Sequence, residues 1–387
     1  VRTKRFTVLA SGDHHWDEDR RFDECRRVHA FTVDLARERE VDLFLSGGDV
    51  YERASTPTER EAVAEWLTAM ADVCPVVISK GNHDRRLDCA LLARLRTKHP
   101  ILVEEAAGVH YVAGAAIAAM AWPERSVLLA AGGSQASADA LARDALQAVL
   151  RGLGDELAQH DGPRILLGHF MVDGSVVSTG QPLLGMPMNV GLADLALAGA
   201  HLGVMAHIHK AQCFDVAGAP HYYTGSPFRT DFGQLEPKTV LLATFEGAEL
   251  VEVEEIPTPA TAMAHVEATW KPDAGRFMWG GDDVTKREAR GAEVRFRYHV
   301  ATDQREAAAR AAAEFESELL SLGAASVKIE RIIITEKRAR APEVSRATSA
   351  RDKLVAHWES IGFDPGERRS SLLEKADQVE GEVRDAA

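Results

Sequence analysis

Cysteine is scarce in this chain of 387 residues: there are four, Cys25, Cys74, Cys89 and Cys213, and no two of them form a CxxC pair. That spacing suggests neither a zinc ribbon nor a disulfide framework, and it fits a reducing cytoplasm. Long hydrophobic runs are lacking as well. The longest, Val112 to Trp122, is rich in alanine and too short to span a bilayer, and the N-terminal run Phe6 to Ala10 is too short for a signal-peptide core. Neither export nor membrane insertion is expected. Positive charge is in deficit: 45 Lys and Arg against 59 Asp and Glu give a net charge of -14. Such a surface does not grip nucleic acid by global charge, so a polyanion partner has to be held locally. The remaining composition, 45% hydrophobic and 27% charged, suffices for at least one full core and for two or three domains.

Over roughly the first 250 residues, short β-rich runs alternate with helical patterns, the rhythm of a layered α/β domain. Strands are expected at Phe6 to Ala10, Asp42 to Leu45, Val76 to Ser79, Ile101 to Val103, Arg164 to Leu167 and Leu202 to Met205. The clearest helix runs from Pro57 to Val73. Thr56 and Glu59 have capping-box spacing, Pro57 suits the first helical position, and Val63, Trp66, Leu67 and Met70 make one apolar stripe. From Thr261 the pattern changes. Glu293 to Val300 alternates polar and apolar residues, Gln304 to Leu322 reads as an Ala-rich helix, and Val327 to Ile334 again as a strand, together a compact β-α-β unit. After Thr335 comes a basic stretch (Lys337, Arg338, Arg340, Arg346, Arg351, Lys353). An amphipathic helix with Leu354, Val355 and Trp358 follows, which reads equally as a solvated tail or as a partner-docking helix, since an exposed Trp and Leu face would call for burial.

Five of the 15 histidines sit beside Asp, Asn or Gly just past an expected strand. Loops at the carboxyl ends of strands converge to make sites, so this placement is informative. Asp13 and His15 follow the first strand, and in extended geometry their spacing points both to one side. Asp49 follows the second, after Gly47 and Gly48, which allow a tight turn. Gly81-Asn82-His83-Asp84 follows the third and offers an amide oxygen, an imidazole and a carboxylate in succession. His169 follows Arg164 to Leu167, and His207 and His209 follow Leu202 to Met205. Mixed imidazole, carboxylate and amide donors suit Mn, Fe or Zn better than Ca or Mg. Two such ions about 4 Å apart activate a water, neutralise a phosphate and hold an in-line displacement. Phosphoester hydrolysis is the reaction class.

The order Asp13-x-His15, Gly48-Asp49, Gly81-Asn82-His83-Asp84, Gly168-His169, His207-x-His209 resembles the calcineurin-like metallophosphoesterase superfamily. Within it, Gly48 to Arg53, Tyr223 to Arg229 and Phe232-Gly233 resemble the SbcD-type DNA repair nuclease subunit. The resemblance implies an α/β fold: a β-sandwich flanked by helices over residues 1-260, a small α/β capping, DNA-binding domain over 261-335, and a C-terminal helical segment, 336-387, that binds an ATPase partner. It implies two manganese ions. One would take Asp13, His15, Asp49 and His209, the other Asp49, Asn82, His169 and His207, with Asp49 bridging. His83 would be the acid that assists the departing sugar oxygen, with Asp84 orienting its ring. Arg229, Arg295 and Arg297 are the expected substrate-binding residues, the last two sharing a strand face by period two. The implied activity is 3′ to 5′ exonuclease and single-strand or hairpin endonuclease on DNA, in the cytoplasm. The implied partner is an SMC-like ATPase of the SbcC type, in a heterotetramer built on a homodimer of this chain.

The chain departs from its relatives at Trp16, Arg85 and Ala206, the last in place of a glycine. Trp16 reads as a packed aromatic rather than a base-stacking one. His14, on the alternate side of its strand, reads as packing or hydrogen bonding, Asp173 as a turn or supporting residue, and His29, His99, His160 and His201 as structural or solvated. Two other readings share every ligand: a phosphodiesterase or phosphatase for nucleotides or small phosphoesters, and an adaptor whose task is to bind an ATPase and DNA.

Overall fold

The computed structural model describes residues 5–124, 135–178, 189–279, 289–334, 344 and 346–385. Lys337, Arg338 and Arg340 of the basic stretch lie outside them.

In chain order the first twelve strands are β1 (Arg5–Ser11), β2 (Leu43–Ser46), β3 (Val76–Ser79), β4 (Ile101–Glu104), β5 (Ala107–Val112), β6 (Ala115–Met120), β7 (Arg164–His169), β8 (Leu202–Ala206), β9 (Gln212–Val216), β10 (Ala219–Tyr223), β11 (Thr239–Glu246) and β12 (Glu249–Pro257). They make two six-stranded sheets, in the orders β12-β11-β1-β2-β3-β4 and β5-β6-β7-β8-β10-β9. Strands β1 to β4 run parallel, as do β6, β7, β8 and β10. The carboxyl ends of five ligand-bearing strands therefore open into loops.

Alternate residues decide which layer each strand fills. Val8, Ala10, Leu43, Leu45 and Val77 meet Ile117, Ala119, Ile165, Leu167 and Val204 between the sheets. The opposite faces are covered by helices. Leu9, Phe44, Val76 and Ile78 pack with residues of α1 (Phe22–Glu38) and α2 (Pro57–Ala71), while Ala116, Ala118 and Leu166 pack with Leu146, Leu150 and Leu153 of the helix Gln135–Leu157. The layered α/β arrangement is as the sequence pattern indicates, and the sandwich flanked by helices is as the resemblance implies. At the start of α2 the Thr56 hydroxyl accepts from the Glu59 N–H, and the Glu59 carboxylate accepts from the Thr56 N–H. The Ala-rich run near Val112 is largely strand β6, buried on both faces, which is why it shows no alternation.

Beyond β12 lie β13 (Met263–Lys271), β14 (Arg276–Trp279), β15 (Glu293–Ala301), a helix at Arg305–Ser321 and β16 (Ser326–Ile334), with the sheet order β14-β13-β15-β16. Two helices follow, Ala350–Ile361 and Arg369–Asp385. The chain divides into two compact units. One takes the described residues of Val1–Val266, Asp283–Phe296 and Glu316–Lys328, the other those of Glu267–Asp282, Arg297–Phe315 and Ile329–Ala387. In the second unit Phe277 packs its ring on Trp270 and on Tyr298, with centroids 5.2 and 5.1 Å away. There the two terminal helices are joined by Arg351 to Asp377 and by the Ala350 N–H to Glu380. Trp358 is buried, so the expectation of an exposed Trp face is corrected: the apolar exposure falls instead on Ile361, Phe363, Leu372, Val379 and Val383. No helix among the described residues is long and apolar enough to cross a membrane.

Candidate metal centre

The loops after β1 and β2 pair with each other where their strands end. The N–H groups of Asp13, His15 and Trp16 donate to the carbonyls of Gly48, Asp49 and Val50, each at 2.9 Å. These bonds hold the two loops together while turning the chain. Asp13, His15, Asp49 and His207 consequently have positive φ, at 54°, 44°, 48° and 98°. The Asp13 and His15 backbones are therefore left-handed, which corrects the extended geometry expected for them. Strain of this kind persists only where the surroundings over-determine it, and it gathers at functional sites. The neighbouring turns need glycine: Gly48 has φ +93°, and a Cβ on Gly81 would stand 2.0 Å from Asp49 Oδ1. Ala206 places its Cβ where a side chain on Gly12 or Gly47 would have to go.

Two groups of donors result. Asp13, His15 and His209 form one, and Asp49, His169 and His207 the other, with the donor atoms of each within 4.8 Å of one another. His15 Nε2 faces His209 Nε2 at 3.0 Å. Asn82 Oδ1 lies 3.0 Å from His169 Nε2 and 2.8 Å from His207 Nδ1. Asp49 Oδ2 stands between the groups, 3.3 Å from His169 Nε2 and 3.9 Å from His15 Nε2. Buried carboxylates, imidazole nitrogens and an amide oxygen all aim inward, a donor set that fits two divalent ions of the transition-metal type. All seven expected ligands are thus brought together. His83 makes a further triad with His15 and Asp49.

The charges of the centre follow from burial and from these pairs. Burial opposes a charge on His169, but Asp49 beside it outweighs that and pushes it up to about 9. Burial would raise the Asp49 carboxyl, yet His169 above all holds it well below the usual carboxylate range. Asp13 is raised by burial. Burial, with His169 adding to it, brings His207 down to about 4, and burial lowers His209 as well. At neutral pH, His207 and His209 are therefore neutral, the form that binds a metal.

The sequence profile of the calcineurin-like phosphoesterases matches residues 6–211 of this chain. The chain belongs to the calcineurin-like phosphoesterase family. No curated protein matches it. Among solved structures it is similar to GAP50, the anchor in the inner membrane complex of Plasmodium, at 13% identity and a TM-score of 0.41, over 66% of this chain and 89% of that one. It is also similar to a dimetal phosphatase from Danio rerio, at 12% identity and a TM-score of 0.42, over 65% of this chain and 98% of that one.

As a calcineurin-like phosphoesterase it is a metal-dependent hydrolase of phosphoesters, and the residues around its ligands carry further information. His83 donates its backbone N–H to Asp49 Oδ1 at 2.8 Å, and its ring Nδ1 lies 2.6 Å from the Glu52 carbonyl. Asp84 does not orient that ring. Its oxygens accept the N–H groups of Gly81 and Tyr51, at 3.0 and 3.1 Å, because the loop's own donors would otherwise be buried without partners. Arg229 is also not a substrate ligand: it is buried, and its three nitrogens donate to the carbonyls of Gln234, Thr261 and Glu236 at 2.6 to 2.9 Å. Arg297 is paired with Glu330 at 3.0 Å. Arg295 lies over the Phe232 ring, 5.4 Å from its centre.

Three residues near the phosphoesterase centre escaped the sequence reading. The Glu52 carboxylate lies 2.7 Å from His15 Nδ1, the Gln234 amide 2.9 Å from His209 Nδ1, and the Trp122 ring 4.6 Å from that of His207. Trp16 is packed with Phe22, His29 and Trp66, and His14 bonds His29 and Ser46, both in agreement with the sequence reading. Two pockets meet at Glu52 and His83. One, of about 270 Å³, is lined by His15, His209, Phe228, Asp17 and Asp231, and the other, of about 460 Å³, by Asn82, Arg53, Lys80, Arg85 and Arg86. A larger pocket among Leu195, Gly199, Val216 and Leu250 holds none of the ligands.

Proposed function

We propose that this phosphoesterase is an SbcD-type nuclease subunit. It would cut DNA from the 3′ side and open single-stranded or hairpin ends, with manganese at both positions and an SMC-like ATPase of the SbcC type as partner. The observation that carries phosphoester hydrolysis is the setting of His83, while the DNA part of the reading rests on the motif resemblance of Gly48 to Arg53 and Tyr223 to Arg229. The leaving group of an alkyl phosphoester, monoester or diester, is a poor alkoxide that needs a proton, and His83 is placed to supply one. Its Nδ1–H is taken by the Glu52 carbonyl, so the free Nε2 is the atom that faces substrate. The Glu52 carboxylate lies 3.8 Å from Nδ1.

Asp13, His15, Asp49 and His209 would hold one ion and Asp49, Asn82, His169 and His207 the other. When bound, the ions supply Lewis acidity toward the phosphate and toward the attacking water. The chain's residues do the rest. Asp49 and the imidazoles fix the donor geometry, and His83 gives its Nε2 proton to the departing 3′ oxygen as the new P–O bond to water forms. In the neighbouring pocket Arg85 offers positive charge for a backbone phosphate, while Lys80 and Arg86 are paired with Glu124 and Glu105. The resemblance of Gly48 to Arg53 and of Tyr223 to Arg229 supports the subfamily, and the exposed apolar residues of the terminal helices support a docking partner.

A second reading, a phosphodiesterase or phosphatase of nucleotides or small phosphoesters, is favoured by the pocket of about 270 Å³ beside the centre, whose size suits a small phosphoester and whose rim carries Arg20 and Arg21 beside Asp17, Glu52 and Asp231. Cleavage of end-labelled double- and single-stranded DNA with added manganese decides between the two, with Asp49→Asn as control. DNA cleavage lost in that variant supports the nuclease. Turnover of cyclic nucleotides with no DNA cleavage, with or without the ATPase, supports the second reading.

A further inference from the structure

Glu52 meets the centre twice, by two chemically separate routes. Its side chain reaches His15, with Oε2 2.7 Å from Nδ1 on the ring edge opposite the nitrogen that faces Asp49 and His209. Its main-chain carbonyl accepts from His83 Nδ1 at 2.6 Å. The residue itself has little freedom. Its N–H donates to the Trp16 carbonyl at 3.2 Å, the preceding Tyr51 N–H donates to Asp84, and the following Arg53 is tied to Asp17 and Asp19 at 2.6 and 2.7 Å.

We propose that Glu52 is a positioning residue of the metal centre: its carboxylate fixes the ring and the ligating nitrogen of His15, while its backbone independently fixes His83. The contact is an ion pair in which the Nδ1–H is not aligned on the oxygen; a ligating imidazole that turns this N–H onto the carboxylate is held in one tautomer and one orientation and is a better electron donor to the metal. Among the described ligands only His15 has a side-chain carboxylate in that place. His169 turns its Nδ1 to the Gly47 carbonyl at 2.7 Å, and His209 faces the Gln234 amide. Because the two functions of Glu52 run through different atoms, side-chain substitution separates them. Glu52→Ala releases His15 and leaves the hold on His83 in place.

The test is calorimetric titration of manganese into the metal-free full-length chain, its Glu52→Ala and Glu52→Gln variants, and the melting temperature of each before metal is added. Glu52→Ala is expected to weaken one of two binding events by about 10- to 100-fold, the usual cost of removing such a partner. The other event should stay within about twofold, with the metal-free melting temperature little changed. Glu52→Gln keeps an acceptor oxygen and should weaken the same event less. Equal weakening of both events would mark a merely structural residue and overturn the proposal, and so would unchanged binding. If Glu52→Ala does not fold, Glu52→Gln decides: weakening of one event supports the proposal, and unchanged binding overturns it. The inference rests on the metal-centre reading and not on DNA as substrate. Absence of manganese uptake by the parent would remove both, whereas uptake by the parent with unaltered variants would remove this one alone.

Discussion

His83 hangs from the main chain of Glu52, its Nδ1 2.6 Å from the carbonyl oxygen. A backbone acceptor survives side-chain substitution, so this bond fixes the tautomer of His83 whatever residue stands at 52. The ring nitrogen left for chemistry is Nε2.

His83→Gln should lower phosphodiester cleavage by about 10²- to 10⁴-fold, the range for loss of a general acid, while manganese uptake stays as in the parent. Calorimetry beside a cleavage assay reads both. Uptake that falls with activity would make His83 a ligand instead of an acid.

Asp49→Asn removes the charge that both donor groups share, so both manganese binding events should disappear, and cleavage with them. In the metal-free variant, His169 loses the partner that holds it at about 9 in the parent. Burial is then opposed only by Asp13 and the Gly47 carbonyl, and the ring falls. A shift of the His169 ring titration toward acid, followed by NMR, checks this, and an unmoved titration would contradict the pairing.

Arg229→Met should destabilise the protein by about 2 kcal/mol or more, since three buried carbonyls lose a charged donor. The folded variant should keep its KM. Denaturant unfolding and steady-state kinetics distinguish this from a substrate contact, which would raise KM and leave stability alone.

His29 should make stability fall on acidification. Burial brings it down to about 4 from an ordinary value of 6.5, so between these limits the unfolded chain binds a proton that the folded chain does not. Stability therefore rises with pH through that window and is fully present above it, a change on the order of 3 kcal/mol. In His29→Gln the loss of unfolding free energy between about pH 7 and pH 4 should shrink by roughly that amount. An unchanged pH dependence would show that His29 is protonated without penalty.

The seven candidate ligand positions were legible because each is an Asp, Asn or His at or just beyond the end of a run that only a strand explains. Their supporting residues were not. Glu52 acts on His15 across 37 positions, and Gln234 on His209 across 25, separations that exist only once the loops are folded together. Arg229 misled for the opposite reason: a guanidinium in a motif near the site reads as a phosphate ligand, and its true partners are carbonyls, which no sequence displays. Strand β6 escaped because a strand covered on both faces carries no alternation, and alanine marks it no better as strand than as helix.

The left-handed backbone at Asp13, His15, Asp49 and His207 bears on whether this centre can be transplanted. Copying seven side chains onto another scaffold would not reproduce it, since four of them need a host that holds a conformation most residues avoid. The portable unit is the set of interlocked loops with the two sheets beneath them, including the space that Ala206 fills against Gly12 and Gly47. Within the present chain the same fact narrows the useful substitutions. Glycine would relax the turn and delete the ligand, whereas asparagine, which tolerates this backbone well, keeps an oxygen donor in nearly the same place and is the natural probe at Asp13 and Asp49.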